Sequence, residues 1–215
     1  MTAGARVLTL ALAGMLSTLA AWRITAHTFA DALAEADPRA ALWWIPGHPQ
    51  ARLVLARELL GQGHLQEARA SAEELLEREP LQGEAWAILG DVASVHGDRE
   101  EALSDYAHAL RLSPQNAAAR LRIIDDNLAR GEYETALGHV DRLLRTTPSL
   151  HADVLPALAQ LAADPELREA LVSTLANSPP WRDAFLRPLY RSAEPETADA
   201  ILAGLKRKGA LTREE

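Results

Sequence analysis

Apolar and polar positions divide this chain into two regimes. From Val7 to Trp22 the run V-L-T-L-A-L-A-G-M-L-S-T-L-A-A-W carries no charge, with Arg6 before it and Arg23 after it. Beyond it, apolar residues are interleaved with charged ones, the pattern of helices buried along one face. Sixteen residues of helix span about 24 Å, slightly less than a hydrocarbon core of about 30 Å. The flanking arginines can snorkel, and Trp22 suits the interfacial belt. The segment is therefore expected to be an uncleaved transmembrane anchor. The competing reading is a signal peptide cut at Thr18-Leu19-Ala20 or Leu19-Ala20-Ala21, and a buried soluble helix is the third. Nothing from Trp22 to Ala36 breaks a helix, so the span is expected to run on into a juxtamembrane stalk. The flanking cations almost tie; the likeness to an export signal places the N-terminal tail inside and the bulk outside. That orientation makes the chain a single-pass protein of the cytoplasmic membrane with its bulk in the periplasm.

The rest of the chain repeats. Pro80, Pro114 and Pro148 stand 34 residues apart, and Pro46 extends the series backwards. Ala68, Ala102 and Ala136 keep the same step, as do Gly63, Gly97 and Gly131. Three residue types in one register mean stacked supersecondary units. In each, a helix runs to the glycine, which permits a tight turn. A second helix follows, with alanine where the two approach closely, and a proline ends the unit. The clearest is E-A-W-A-I-L-G-D-V-A-S-V-H-G-D-R-E-E-A-L-S-D-Y-A-H-A-L-R-L-S-P.

That stretch resembles the tetratricopeptide repeat: Trp86, Leu89, Gly90, Ala102, Tyr106, Ala109 and Pro114 fall in its signature order and spacing, with Ala93 replacing the usual first-helix tyrosine. The unit before has Leu55, Ala56, Leu59, Ala68, Leu75 and Pro80, with Arg52 in the tryptophan's place. The unit after has Ile123, Ile124, Ala136, Leu143 and Pro148, with Arg120 there. The resemblance implies an all-α, right-handed helical-hairpin solenoid. Residues 1–24 then form the anchor, 25–48 the juxtamembrane helices and a partial repeat, 49–150 three repeats, and 151–215 a divergent helical cap. Within that cap, His151–Ala163 and Pro165–Ala176 are expected helices, followed by one ending at Tyr190 and a last one over Pro195–Lys208. Asp37-Pro38 reads as an N-cap and first helical residue.

Composition adds exclusions. Alanine and leucine dominate and no long β-branched run occurs, so no sheet is expected. There is no cysteine, which excludes disulfides, a thiol nucleophile and Cys-ligated zinc. Of 22 lysines and arginines, Arg6 and Arg23 lie in the first 24 residues; the remaining 20 face 30 acids. Such a domain lacks the cationic footprint of a nucleic-acid binder. No histidine pair stands at i, i+4 with an acid, and no G-x-S-x-G, P-loop or G-x-G-x-x-G occurs. No catalytic residue, cofactor or metal is expected, and the chain does not read as an enzyme.

The resemblance implies binding of other proteins in a groove lined by first helices. By analogy the lining is Leu53, Arg57, Leu60, Glu84, Asp91, Ser94, Val95, Leu121, Asp125 and Leu128. Packing of the leucines against neighbouring helices is the alternative. Two functions remain open: an anchored scaffold or assembly factor of a bacterial-type cell envelope, and a soluble carrier or chaperone with a cleaved leader. A hydrolase or transferase is a distant third.

The period also separates two adjacent tryptophans. A-L-W-W-I-P at Ala41–Pro46 aligns on A-L-R-L-S-P at Ala109–Pro114. Trp44 replaces Leu112 and is expected to be buried against the next first helix, near Leu53. Trp43 replaces Arg111, is expected to be exposed, and is a possible contact for a partner.

Overall fold

The computed structural model describes residues 3–211, with side chains described from Leu12 onward. Every regular element among the described residues is helical. A long helix α1 (Ala3–Leu33) is followed by α2 (Pro38–Trp44) and then by three hairpins. These are α3 (Pro49–Gly61) with α4 (Leu65–Arg78), α5 (Gly83–His96) with α6 (Arg99–Leu112), and α7 (Ala117–Ala129) with α8 (Tyr133–Thr146). A short 3-10 turn (Pro148–Leu150) leads to α9 (His151–Leu161), α10 (Pro165–Ala176), α11 (Arg182–Leu186), α12 (Leu189–Ser192) and α13 (Pro195–Arg207). The helices form two compact units, one through Leu112 and one from Ser113 onward.

The turns follow from the periodic glycines. Gly63, Gly97 and Gly131 have φ of 79°, 82° and 72°, a left-handed backbone that a Cβ disfavours. Helix starts are set locally as well. The Asp37 side chain accepts from Ala40 N at 2.9 Å, with Pro38 at the first helical position. Asn116 accepts from Ala119 N at 3.0 Å at the start of α7.

In the first unit the buried cluster joins Leu53 and Ala56 of α3, Ala72 and Leu75 of α4, and Ala85, Ile88 and Leu89 of α5. The middle hairpin closes on Gly90: a Cβ there would stand 2.7 Å from the Tyr106 ring and 3.1 Å from the Ala102 carbonyl. Ala102 is buried at this crossing, as its place in the period requires. In the second unit a larger core gathers Ile124, Leu137, Val140, Leu143 and Leu144 with Leu171, Leu175, Trp181, Phe185, Ile201 and Leu205. Trp181 Nε1 donates to Asp141 at 2.9 Å, so the buried indole keeps its hydrogen bond.

One expectation finds no support and two are corrected. First, no helix is long and apolar enough to cross a membrane among the described residues. The expected span Val7–Trp22 begins outside the residues whose side chains are described, which start at Leu12. Arg23 and His27 dilute the apolar character of α1 beyond Trp22. Second, the helix expected to end at Tyr190 is two short helices, α11 and α12, separated at Pro188. A proline has no N–H to give an interior helical bond, and its ring clashes with the preceding turn. Third, Trp44 is half-buried against α1 rather than buried beside Leu53. Its ring stacks on Phe29 with centroids 5.2 Å apart and meets Trp22 at 5.8 Å. The long α1 folds back over α2 through a stripe of small buried residues, Ala26, Ala30 and Ala34. That stripe brings the aromatic positions of α1 to Trp44, a contact that the repeat register alone does not contain.

Candidate protein-binding surface

The structure divides the ten expected groove residues into core, ion pair and open surface. Leu53 is core, packed among the alanines and leucines of α3, α4 and α5. Leu60 is half-buried against the same cluster. Arg57 on α3 and Glu84 on α5 are exposed and paired with each other across the two first helices. Asp91 is half-buried and accepts from the Tyr106 hydroxyl at 2.8 Å, which ties α5 to α6. Ser94 and Val95 are open at the end of α5, and Val95 is 65% exposed. In the second unit Leu121 and Leu128 are half-buried against the core, while Asp125 is exposed. The open surface on α5 is thus Glu84 with its partner Arg57, then Ser94 and Val95. On α7 it is Asp125. An exposed valine at the end of a first helix, next to the exposed Ser94, suits an extended segment with an apolar anchor and a polar flank.

Trp43 is 75% exposed and meets Trp44 edge to face at 5.1 Å. With Trp22 and Phe29 it completes an aromatic cluster on α1 and α2. The period separates Trp43 from Trp44 but does not reveal the partners on α1, because α1 lies outside the repeat.

A second periodic relationship lies at Arg52, Trp86 and Arg120. Arg52 donates to the Pro46 carbonyl at 2.7 Å, Trp86 Nε1 to the Pro80 carbonyl at 3.3 Å, and Arg120 to the Pro114 carbonyl at 2.5 Å. Each satisfies the carbonyl of the proline that ends the preceding unit. Arginine therefore replaces tryptophan with a donor kept in the same place. One period position on the second helix faces this donor each time. Glu74 forms an ion pair with Arg52, and His108 stacks on Trp86 with centroids 4.5 Å apart. In the third hairpin that position is Arg142, whose charge, after burial, pushes the Arg120 pKa down.

Burial also shifts two groups on the second helices. It is the main cause that pushes Asp105 up to about 6, with the Glu101 charge adding to it and Arg69 opposing it. Burial lowers the His139 pKa, and the charges of Arg120 and Arg142 lower it further. Among the described residues no group of three or more histidines and acids is placed to hold a metal ion.

The tetratricopeptide repeat family model matches residues 53–95 and 89–151. Residues 53–151 are thus similar to tetratricopeptide repeats. A solved structure of a thermophilic tetratricopeptide protein from Thermus thermophilus is 20% identical. That similarity covers 92% of this chain and 97% of the other, at a TM-score of 0.46. No curated protein matches the chain. The matched tetratricopeptide segment runs from Leu53 into the start of α9, so it contains all ten expected groove positions.

Proposed function

We propose that this tetratricopeptide protein is a non-enzymatic scaffold or assembly factor that captures segments of other proteins on its first helices. The observation that carries the reading is Val95, an apolar side chain left open at the end of α5 and flanked by exposed Ser94. An apolar anchor point beside polar positions is how a helical array takes up a peptide segment. A Val95→Glu variant retains helicity and loses partner capture from detergent-solubilised membranes. Undiminished capture overturns the assignment of the surface.

We further propose that α1 holds the scaffold at a bilayer, with the repeats on the periplasmic side. The uncharged run Val7–Trp22 supports this, together with the exposure of Leu12, Met15, Leu16 and Leu19 on the same helix. Trp22 ends the run and Phe29 and Trp43 follow it, as residues of an interfacial belt do. On this reading the protein stays in the membrane pellet after alkaline washing and keeps its N-terminus. Recovery of a shortened soluble form beginning near Ala21 favours the carrier or chaperone reading instead.

A further inference from the structure

The third hairpin reverses a charge relationship that the first hairpin satisfies. In the first, the guanidinium of Arg52 is bonded to the Pro46 carbonyl and also pairs with the carboxylate of Glu74 on the facing helix; Arg78 lies nearby as well. In the third, Arg120 makes the equivalent bond to Pro114, but the residue one period on from Glu74 is Arg142. Among the described residues neither Arg120 nor Arg142 is paired with a carboxylate. His139 stands one turn before Arg142 on α8, and its Nδ1 is buried without a hydrogen-bond partner. Two guanidinium groups and an unsatisfied imidazole nitrogen thus meet without a carboxylate, where the first hairpin supplies the Glu74 carboxylate to Arg52 with Arg78 nearby. A buried polar atom without a partner is costly, and like charges held together add to the cost.

We propose that Arg120, His139 and Arg142 form a binding site for a carboxylate supplied in trans, the Asp or Glu side chain of a partner segment. The internal reference is Glu74, whose carboxylate occupies the equivalent place in the first hairpin. Arg120 is almost fully buried and fixed by Pro114, so it presents its charge without having to be ordered on binding. Arg142 is exposed, which opens the cluster to solvent. The incoming carboxylate accepts from Arg142 at the surface and faces Arg120 behind it. Its charge also favours the protonated imidazole of His139. The identity of the ligand as a protein side chain rests on the scaffold reading; the cluster and its charge do not.

The test titrates the full chain, in non-ionic detergent, with a hexaglutamate peptide at an ionic strength held constant with sodium chloride. The wild type binds saturably, and the His139 ring titration moves to higher pH on binding. Arg142→Gln weakens binding by about tenfold or more. Arg142→Glu installs the carboxylate that the first hairpin already has, so it abolishes peptide binding and raises the thermal midpoint. Equal affinity in wild type and Arg142→Gln, or an unmoved His139 titration, overturns the site. Tighter binding of inorganic phosphate than of the peptide overturns the carboxylate assignment. Peptide binding together with undiminished partner capture by Val95→Glu leaves this site standing and counts against the surface assigned on α5. Normal dependence on Val95 without peptide binding does the reverse.

Discussion

Arg120 donates to the carbonyl oxygen of Pro114 at 2.5 Å, as Trp86 Nε1 does to Pro80 at 3.3 Å one repeat earlier. Two chemically different side chains thus perform one task, donating to the carbonyl of the proline that ends the preceding unit. Trp86→Phe keeps an aromatic ring against His108 but lacks the donor and part of the indole's packing, so it lowers stability by about 1–2 kcal/mol. Chemical denaturation measures this. A loss near zero shows that water serves the Pro80 carbonyl equally well.

The middle hairpin depends on a missing Cβ. Gly90→Ala places a methyl group 2.7 Å from the Tyr106 ring and 3.1 Å from the Ala102 carbonyl, and costs about 1–3 kcal/mol through overpacking. Gly138 is a control in α8, because nothing lies within 4 Å of its Cβ position. Gly138→Ala therefore stabilises by about 0.5–1 kcal/mol through helix propensity. Opposite signs for the two glycines are expected in thermal melts.

Asp105 makes stability depend on pH. Its pKa is raised from 3.8 to about 6 in the folded chain, so folding favours the protonated carboxyl. The corresponding stabilisation is complete below the unfolded pKa and is lost as pH rises through the folded value. Asp105→Asn cannot ionise. It is expected to be about 1–2 kcal/mol more stable than wild type at pH 7, an advantage that vanishes near pH 4. Denaturation at the two pH values measures the difference.

The two neighbouring tryptophans respond differently to truncation. Trp44→Ala opens the contact between α1 and α2 and costs about 2 kcal/mol, less than a fully buried ring would. Trp43→Ala removes an exposed ring and costs at most about 1 kcal/mol, the value of its edge contact. Equal, large losses would show both rings to be core.

The repeat is legible in the chain because its signals are local. Gly63, Gly97 and Gly131 mark backbone turns, Ala102 marks a helix crossing, and the prolines mark unit ends; each needs only its immediate neighbours to have its effect. The helix break at Pro188 is equally local, but the stronger Ser178-Pro179-Pro180 signal just before it hides it. The place of Trp44 is not legible, since it depends on α1 folding back through Ala26, Ala30 and Ala34. The groove is legible only in part. Spacing puts Leu53 and Val95 on first helices alike, but packing buries one and leaves the other open. The cluster of Arg120, His139 and Arg142 has a signal in the register of Glu74 and Arg142, which becomes informative only once the Arg52–Glu74 pair is seen.

The claim that α5 presents a protein-binding surface is tested most directly by photo-crosslinking in the native membrane. A benzophenone amino acid replaces Val95 on the open end of α5 or, as control, Glu73 on α4. A discrete adduct with another polypeptide is expected from position 95 and none from position 73. No adduct from position 95, or the same adduct from both positions, contradicts the claim.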